Sequence, residues 1–158
     1  MKRSAKTAKR RAATKRKKPA AAVSAPQELK PRVGLEGAIE RVVPHGWTIA
    51  AWDPGLPAVL STPAMIGMME IAAAESVKPD LPPGTITVGT RIKVDHLKAV
   101  PEGATVRATS RLVKHQGRFL VFEVEARSGE IILGRGQVFR AIVEPQKFGA
   151  QAHSRKES

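Results

Sequence analysis

Between Pro63 and Val77 the chain reads as a helix that is apolar on nearly every face, and this constrains the fold more than any other feature of the sequence. Met65, Ile66, Met68, Met69, Ile71, Ala72, Ala73 and Val77 leave no polar stripe at the 3.6-residue period. Such a helix has to be covered on most of its sides. Thr62 is a favoured N-cap, Pro63 suits the first helical position, and Lys78-Pro79-Asp80 ends the element. The segments C-terminal to the helix must supply the cover. Thr85 to Ala99, Thr105 to Lys114, Arg118 to Arg127 and Ile131 to Val143 carry strand patterns, with turns at Pro101-Glu102-Gly103, Gln116-Gly117 and Ser128-Gly129-Glu130. Gly134 and Gly136 mark bulges or close approaches. Residues 37–44 and 47–52 read as short strands before the helix, and Asp53-Pro54-Gly55-Leu56-Pro57 as a loop. The expectation is α+β: a curled antiparallel sheet wrapped around one long central helix. One sheet around one helix leaves edge strands and apolar surface bare, so a homodimer or higher homo-oligomer is expected.

Charge is placed unevenly. The chain of 158 residues carries +13, yet residues 1–32 hold 12 Lys/Arg against the single acid Glu28, and the remainder is close to balanced. Residues 1–32 have almost no large apolar side chains to offset the entropy of ordering and read as a disordered basic tail. Residues 33–150 read as one folded domain and residues 151–158 as a frayed end. The tail has two readings. It is a solvated segment, or an arm that contacts nucleic-acid phosphates nonspecifically, since no aromatics are interleaved to stack on bases. With no cysteine, disulfides, Cys-ligated zinc and a thiol nucleophile are excluded, and a reducing, cytoplasmic setting fits. His45, His96, His115 and His153 show no ligand spacing, so no metal is expected. No apolar run approaches the roughly 18 residues of a membrane span. No secretory core comes after the basic run, while a mitochondrial transit segment stays open.

Three polar groups stand in apolar company. His96 ends Thr90-x-Ile92-x-Val94-x-His96, and strand alternation puts Ile92, Val94 and His96 on one face, Arg91, Lys93 and Asp95 on the other. On the core face an imidazole is either a base or a structural group satisfied by a backbone carbonyl. Glu70 lies among Ile66, Gly67, Ala73 and Ala74, where a carboxylate is either compensated by a cation or donor or reaches solvent at a helix edge. Gly67 reads as room for a ligand or a close-packed strand. Thr62 is a cap or, at the positive end of a helix, a hydroxyl beside a place suited to developing negative charge. Hydroxyl, carboxylate and imidazole are the nucleophile, orienter and base of acyl transfer.

The order and spacing of these pieces resemble the hotdog-fold thioesterases of the fluoroacetyl-CoA thioesterase type. The resemblance rests on Thr62-x-x-Met65-Ile66-Gly67-Met68-Met69-Glu70, Gly89-Thr90-x-Ile92-x-Val94-x-His96, Pro101-x-Gly103-x-Thr105-Val106, and Gly136-x-x-x-Arg140-Ala141 running to Lys147-Phe148. It spans about residues 33–150 and leaves the tail uncovered. It implies a homodimeric acyl-CoA thioesterase with Thr62, Glu70 and His96 as catalytic set, Gly89 against the acyl group and Arg140 near the substrate end. No cofactor is implied beyond the coenzyme A of the substrate. Six residues before Thr62, where the fluoroacetyl-selective member has an aromatic gate, this chain has Leu56. Two other readings compete: an acyl-CoA-binding regulator with a nucleic-acid-contacting tail, and an enoyl-CoA hydratase. The hydratase lacks a separate Asp–His dyad, because Asp95 and His96 point to opposite faces.

Overall fold

A computed structural model describes residues 30–147. The expected basic arm up to residue 29 and the frayed end from residue 148, Phe148 included, lie outside the described residues. The elements run β1 (Glu36–Val42), α1 (Thr62–Val77), β2 (Ile86–His96), β3 (Thr105–Gln116), β4 (Phe119–Ser128) and β5 (Ile131–Val143). They form one antiparallel sheet in the order β1-β3-β4-β5-β2, curled around α1. The hotdog architecture is therefore present.

Two local expectations fail. Residues 47–52 are not a strand: His45–Trp47 and Ile49–Ala51 form short 3₁₀ turns that carry the chain across the end of the core. Thr62 is not the helix cap. Ser61 takes that place, its Oγ accepting from the Ala64 N–H at 3.4 Å, and Thr62 opens the helix with Pro63 behind it. Either hydroxyl can cap; with Ser61 doing so, the Thr62 hydroxyl is available elsewhere.

The four strands after the helix are consecutive in sequence but not in space. β3, β4 and β5 are joined by tight turns with Gly117 and Gly129 at positive φ, whereas β2 lies beyond β5 at the far edge. The close approaches expected at two glycines are found. A side chain at Gly134 would overlap Met65, and one at Gly136 would overlap the Lys93 backbone.

The core lies between α1 and the inner sheet face. Met65, Met68, Met69, Leu112, Leu120, Phe122 and Leu133 are fully buried there. α1 leans toward β1 and β3 and makes little contact with β2 and β5. The inner face of β2 is consequently half bare. Ile92, on that face as alternation predicts, is 44% exposed, and Ile71 on the helix is 49% exposed. A Cβ at Gly67 would meet open space, so this glycine is not explained by a close-packed strand of the same protomer. The described residues thus cover the apolar helix on only part of its circumference. No helix of the described residues is long and apolar enough to cross a membrane.

Candidate active site

Where α1 begins and β2 ends, Thr62 and His96 meet. Thr62 Oγ1 lies 2.8 Å from His96 Nδ1, and His96 Nε2 lies 3.1 Å from the Lys98 carbonyl oxygen. A carbonyl only accepts, so Nε2 carries the proton and donates to Lys98. Nδ1 of the neutral ring is then the acceptor, and the Thr62 hydroxyl donates to it. The imidazole is fixed in the tautomer that draws on the threonine proton, and the orienting group is a main-chain carbonyl. Sequence reasoning allowed a backbone carbonyl as a partner of His96 but did not say which one, because a backbone oxygen leaves no side-chain signature.

Glu70 sits two turns further along α1 and makes no hydrogen bond to His96 within the protomer. Arg140 is its partner, with Nη1 donating to Glu70 Oε1 at 3.1 Å. Arg140 also donates from Nε to Thr87 Oγ1 at 3.0 Å and from Nη2 to the Thr87 carbonyl at 2.9 Å. Burial draws the Arg140 guanidinium below its ordinary pKa, and the charge of Glu70 opposes that shift. Thr87 escaped notice in the sequence, although it stands two residues before Gly89 on the same strand. Gly89 lies against the carboxylate: a Cβ there would overlap Glu70 Oε1.

Glu70, Gly89 and Arg140 therefore form one cluster, and Thr62 and His96 another. Eight residues of helix separate Thr62 from Glu70, about 12 Å of rise. Seven residues of strand separate Gly89 from His96, about 23 Å. Leu56 belongs to neither cluster; it is 43% exposed in the loop before α1, its N–H bonded to the Asp53 carbonyl. The start of α1 is a poorer anion site than the sequence suggested. Pro63 has no N–H, and those of Ala64 and Met65 are taken by Ser61. Among the described residues no group of three His, Cys, Asp or Glu is placed to hold a metal.

Residues 43–146 match the model of the fluoroacetyl-CoA-specific thioesterase family. The fluoroacetyl-CoA thioesterase of Streptantibioticus cattleyicolor is 35% identical over 130 residues, which are 78% of this chain and 94% of that protein. The chain belongs to the fluoroacetyl-CoA-specific thioesterase family. A threonine-to-serine variant of the fluoroacetyl-CoA enzyme, solved with acetyl-CoA, superposes with a TM-score of 0.75. It has 33% identity and covers 80% of this chain and 99% of its own. A hypothetical protein of Thermus thermophilus, described as a thioesterase superfamily member, gives a TM-score of 0.73 at 27% identity, covering 80% of this chain and 93% of its own.

Proposed function

We propose that this chain hydrolyses a small or medium acyl-CoA thioester to the free acid and CoA at a site built from Thr62, His96 and Glu70. The observation that carries the reading is the Thr62–His96–Lys98 carbonyl chain, a polarised hydroxyl at a half-open helix start. Family membership supports the thioester class. In the proposed reaction the Thr62 oxygen adds to the thioester carbonyl while His96 Nδ1 takes its proton. The C–S bond then breaks, and that proton goes to the departing CoA sulfur. Water, deprotonated by His96, cleaves the acyl-threonine, and Thr62 recovers a proton as the acid leaves. The alternative in which Thr62 positions the attacking water uses the same residues. The scheme draws on no cofactor beyond the CoA of the substrate.

Glu70 enters through a second subunit. β2 is an edge strand with a bare apolar face, and the exposed Ile92 lies on it between Gly89 and His96. Two copies of β2 paired antiparallel across that stretch bring the Gly89 end of one strand alongside the His96 end of the other. Each Thr62–His96 pair then faces the Glu70–Arg140 cluster of the partner subunit, and the exposed Ile92 is covered.

The test is a panel of short, halogenated and aryl acyl-CoA thioesters with released CoA measured, run on the wild type, Thr62→Ala, His96→Ala and Glu70→Gln. Wild-type turnover by Thr62→Ala or His96→Ala on the best substrate would sink the assignment. An acyl adduct on Thr62 seen by mass spectrometry after rapid quenching separates covalent from water-mediated attack.

A further inference from the structure

The outer face of the sheet, away from α1, is divided electrostatically. Toward β1 its charges alternate: Arg107, Arg111 and Arg135 stand among Glu36, Glu123, Glu125 and Asp95, around a broad cavity of about 880 Å³. Toward the β3–β4 turn the acids are gone. There a groove of about 330 Å³ is floored by Phe119, Val121 and Phe139 and rimmed by Arg91 and Lys114. Lys93 and Arg118 flank it. Arg91 and Lys93 lie 5.5 and 6.0 Å from the centre of the Phe139 ring, and Arg118 lies 5.1 Å from that of Phe119. Of these four cations, none is in an ion pair among the described residues. Phe119 is 51% exposed.

Backbone irregularity shapes the groove. β2 carries a bulge between Gly89 and Arg91, and β3 one between Leu112 and Lys114. The cross-strand row Lys114, Val121, Phe139, Arg91 begins just past both bulges. Bulges re-aim side chains and gather beside functional sites. The β2 bulge also sets Gly89, against Glu70, back to back with Arg91 on the opposite face.

We infer that this groove holds the phosphorylated adenosine end of the CoA thioester. The inference rests on the reading of the chain as an acyl-CoA hydrolase. Aromatic faces stack on a purine ring, and the cations around them match its phosphates. The volume suits one nucleotide and is small for an element of a partner protein. A second copy on this face would oppose cations to cations. A nucleic-acid strand running on along the face would meet Glu123, Glu125 and Asp95. On this reading the pantetheine arm passes from the Gly89 cluster to the groove round the end of β2, where Ile86 is exposed.

The experiment compares one acyl group carried on CoA and on N-acetylcysteamine, which lacks the nucleotide. It uses the wild type, Arg91→Gln and Lys114→Gln/Arg118→Gln; the double variant lies away from the β2 edge and tests the groove without touching subunit pairing. The preference in kcat/KM for the CoA thioester is expected to fall about tenfold in the double variant, through KM. An unchanged preference overturns the inference. In parallel, adenosine 3′,5′-bisphosphate is titrated calorimetrically. Binding that weakens in the variants supports the groove even if the wild type hydrolyses no thioester, the result by which the proposed function itself fails. No binding to the wild type, equal binding by the variants, or tight binding of a short DNA duplex that the bisphosphate does not displace overturns it.

Discussion

Thr62 and His96 meet where α1 begins, half in solvent, and each is held by a neutral hydrogen bond. Glu70 and Arg140 meet further along the helix, where the guanidinium side chain is only 9% exposed and three of its N–H groups are committed. The first cluster has a movable proton and little to hold it against water. The second has fixed charges and no proton to spare. A polarised hydroxyl has to be accessible to react, whereas a carboxylate near the reacting group has to be stationary, and stationary charge in a protein is obtained by burial beside a partner.

The contrast is broken most severely by removing the proton acceptor or the hydroxyl. His96→Ala and Thr62→Ala are expected to lower kcat/KM about 10³-fold while melting close to the wild type, because neither group is fully buried. Circular dichroism melts run beside the CoA-release assay check both halves. Mixing inactive His96→Ala and Glu70→Gln subunits joins the two clusters across chains. A site shared between subunits regains up to about a quarter of wild-type turnover, since half of the dimers are mixed and each holds one intact site. A site contained in one subunit regains none, which would refute the shared arrangement.

Removing the buried cation moves the effect from rate to stability. Arg140→Leu strands Glu70 and is expected to cost about 3–5 kcal/mol, with a fall in Tm on the order of 10 °C. Replacing both by leucine should recover most of that loss; a double variant as unstable as the single one would show that the pair is not the cause. Gly89→Ala pushes a methyl group into the Glu70 carboxylate and is expected to cost about 1–3 kcal/mol. A double-mutant cycle with Glu70→Ala tests this, since the smaller side chain relieves the overlap, and strict additivity would contradict the contact. The smallest effect is expected at Leu56. Leu56→Phe should leave the melt unchanged and shift relative kcat/KM across the acyl-CoA panel by only a few-fold.

Much of this was legible residue by residue. The helix announced itself because all its faces are apolar, and β5 was read to the residue, Ile131–Val143, because turns bound it on one side and charge on the other. Strand alternation put His96 on the correct face. Residues 47–52 misled because alternating apolar character in so short a run does not distinguish a strand from consecutive 3₁₀ turns. Ser61 and Thr62 were indistinguishable as caps, since adjacent hydroxyls have the same capacity and only backbone geometry selects one.

Taken alone, the sequence determined the fold class and the family, because burial pattern and turn chemistry are written in side chains. The tertiary structure decided how the polar groups pair. It gave Glu70 to Arg140 and His96 to the Lys98 carbonyl, and it sent β2 to the far edge, where its inner face is bare. Pairing depends on the spatial order of strands and on main-chain oxygens, and neither has a local signal in the amino-acid code.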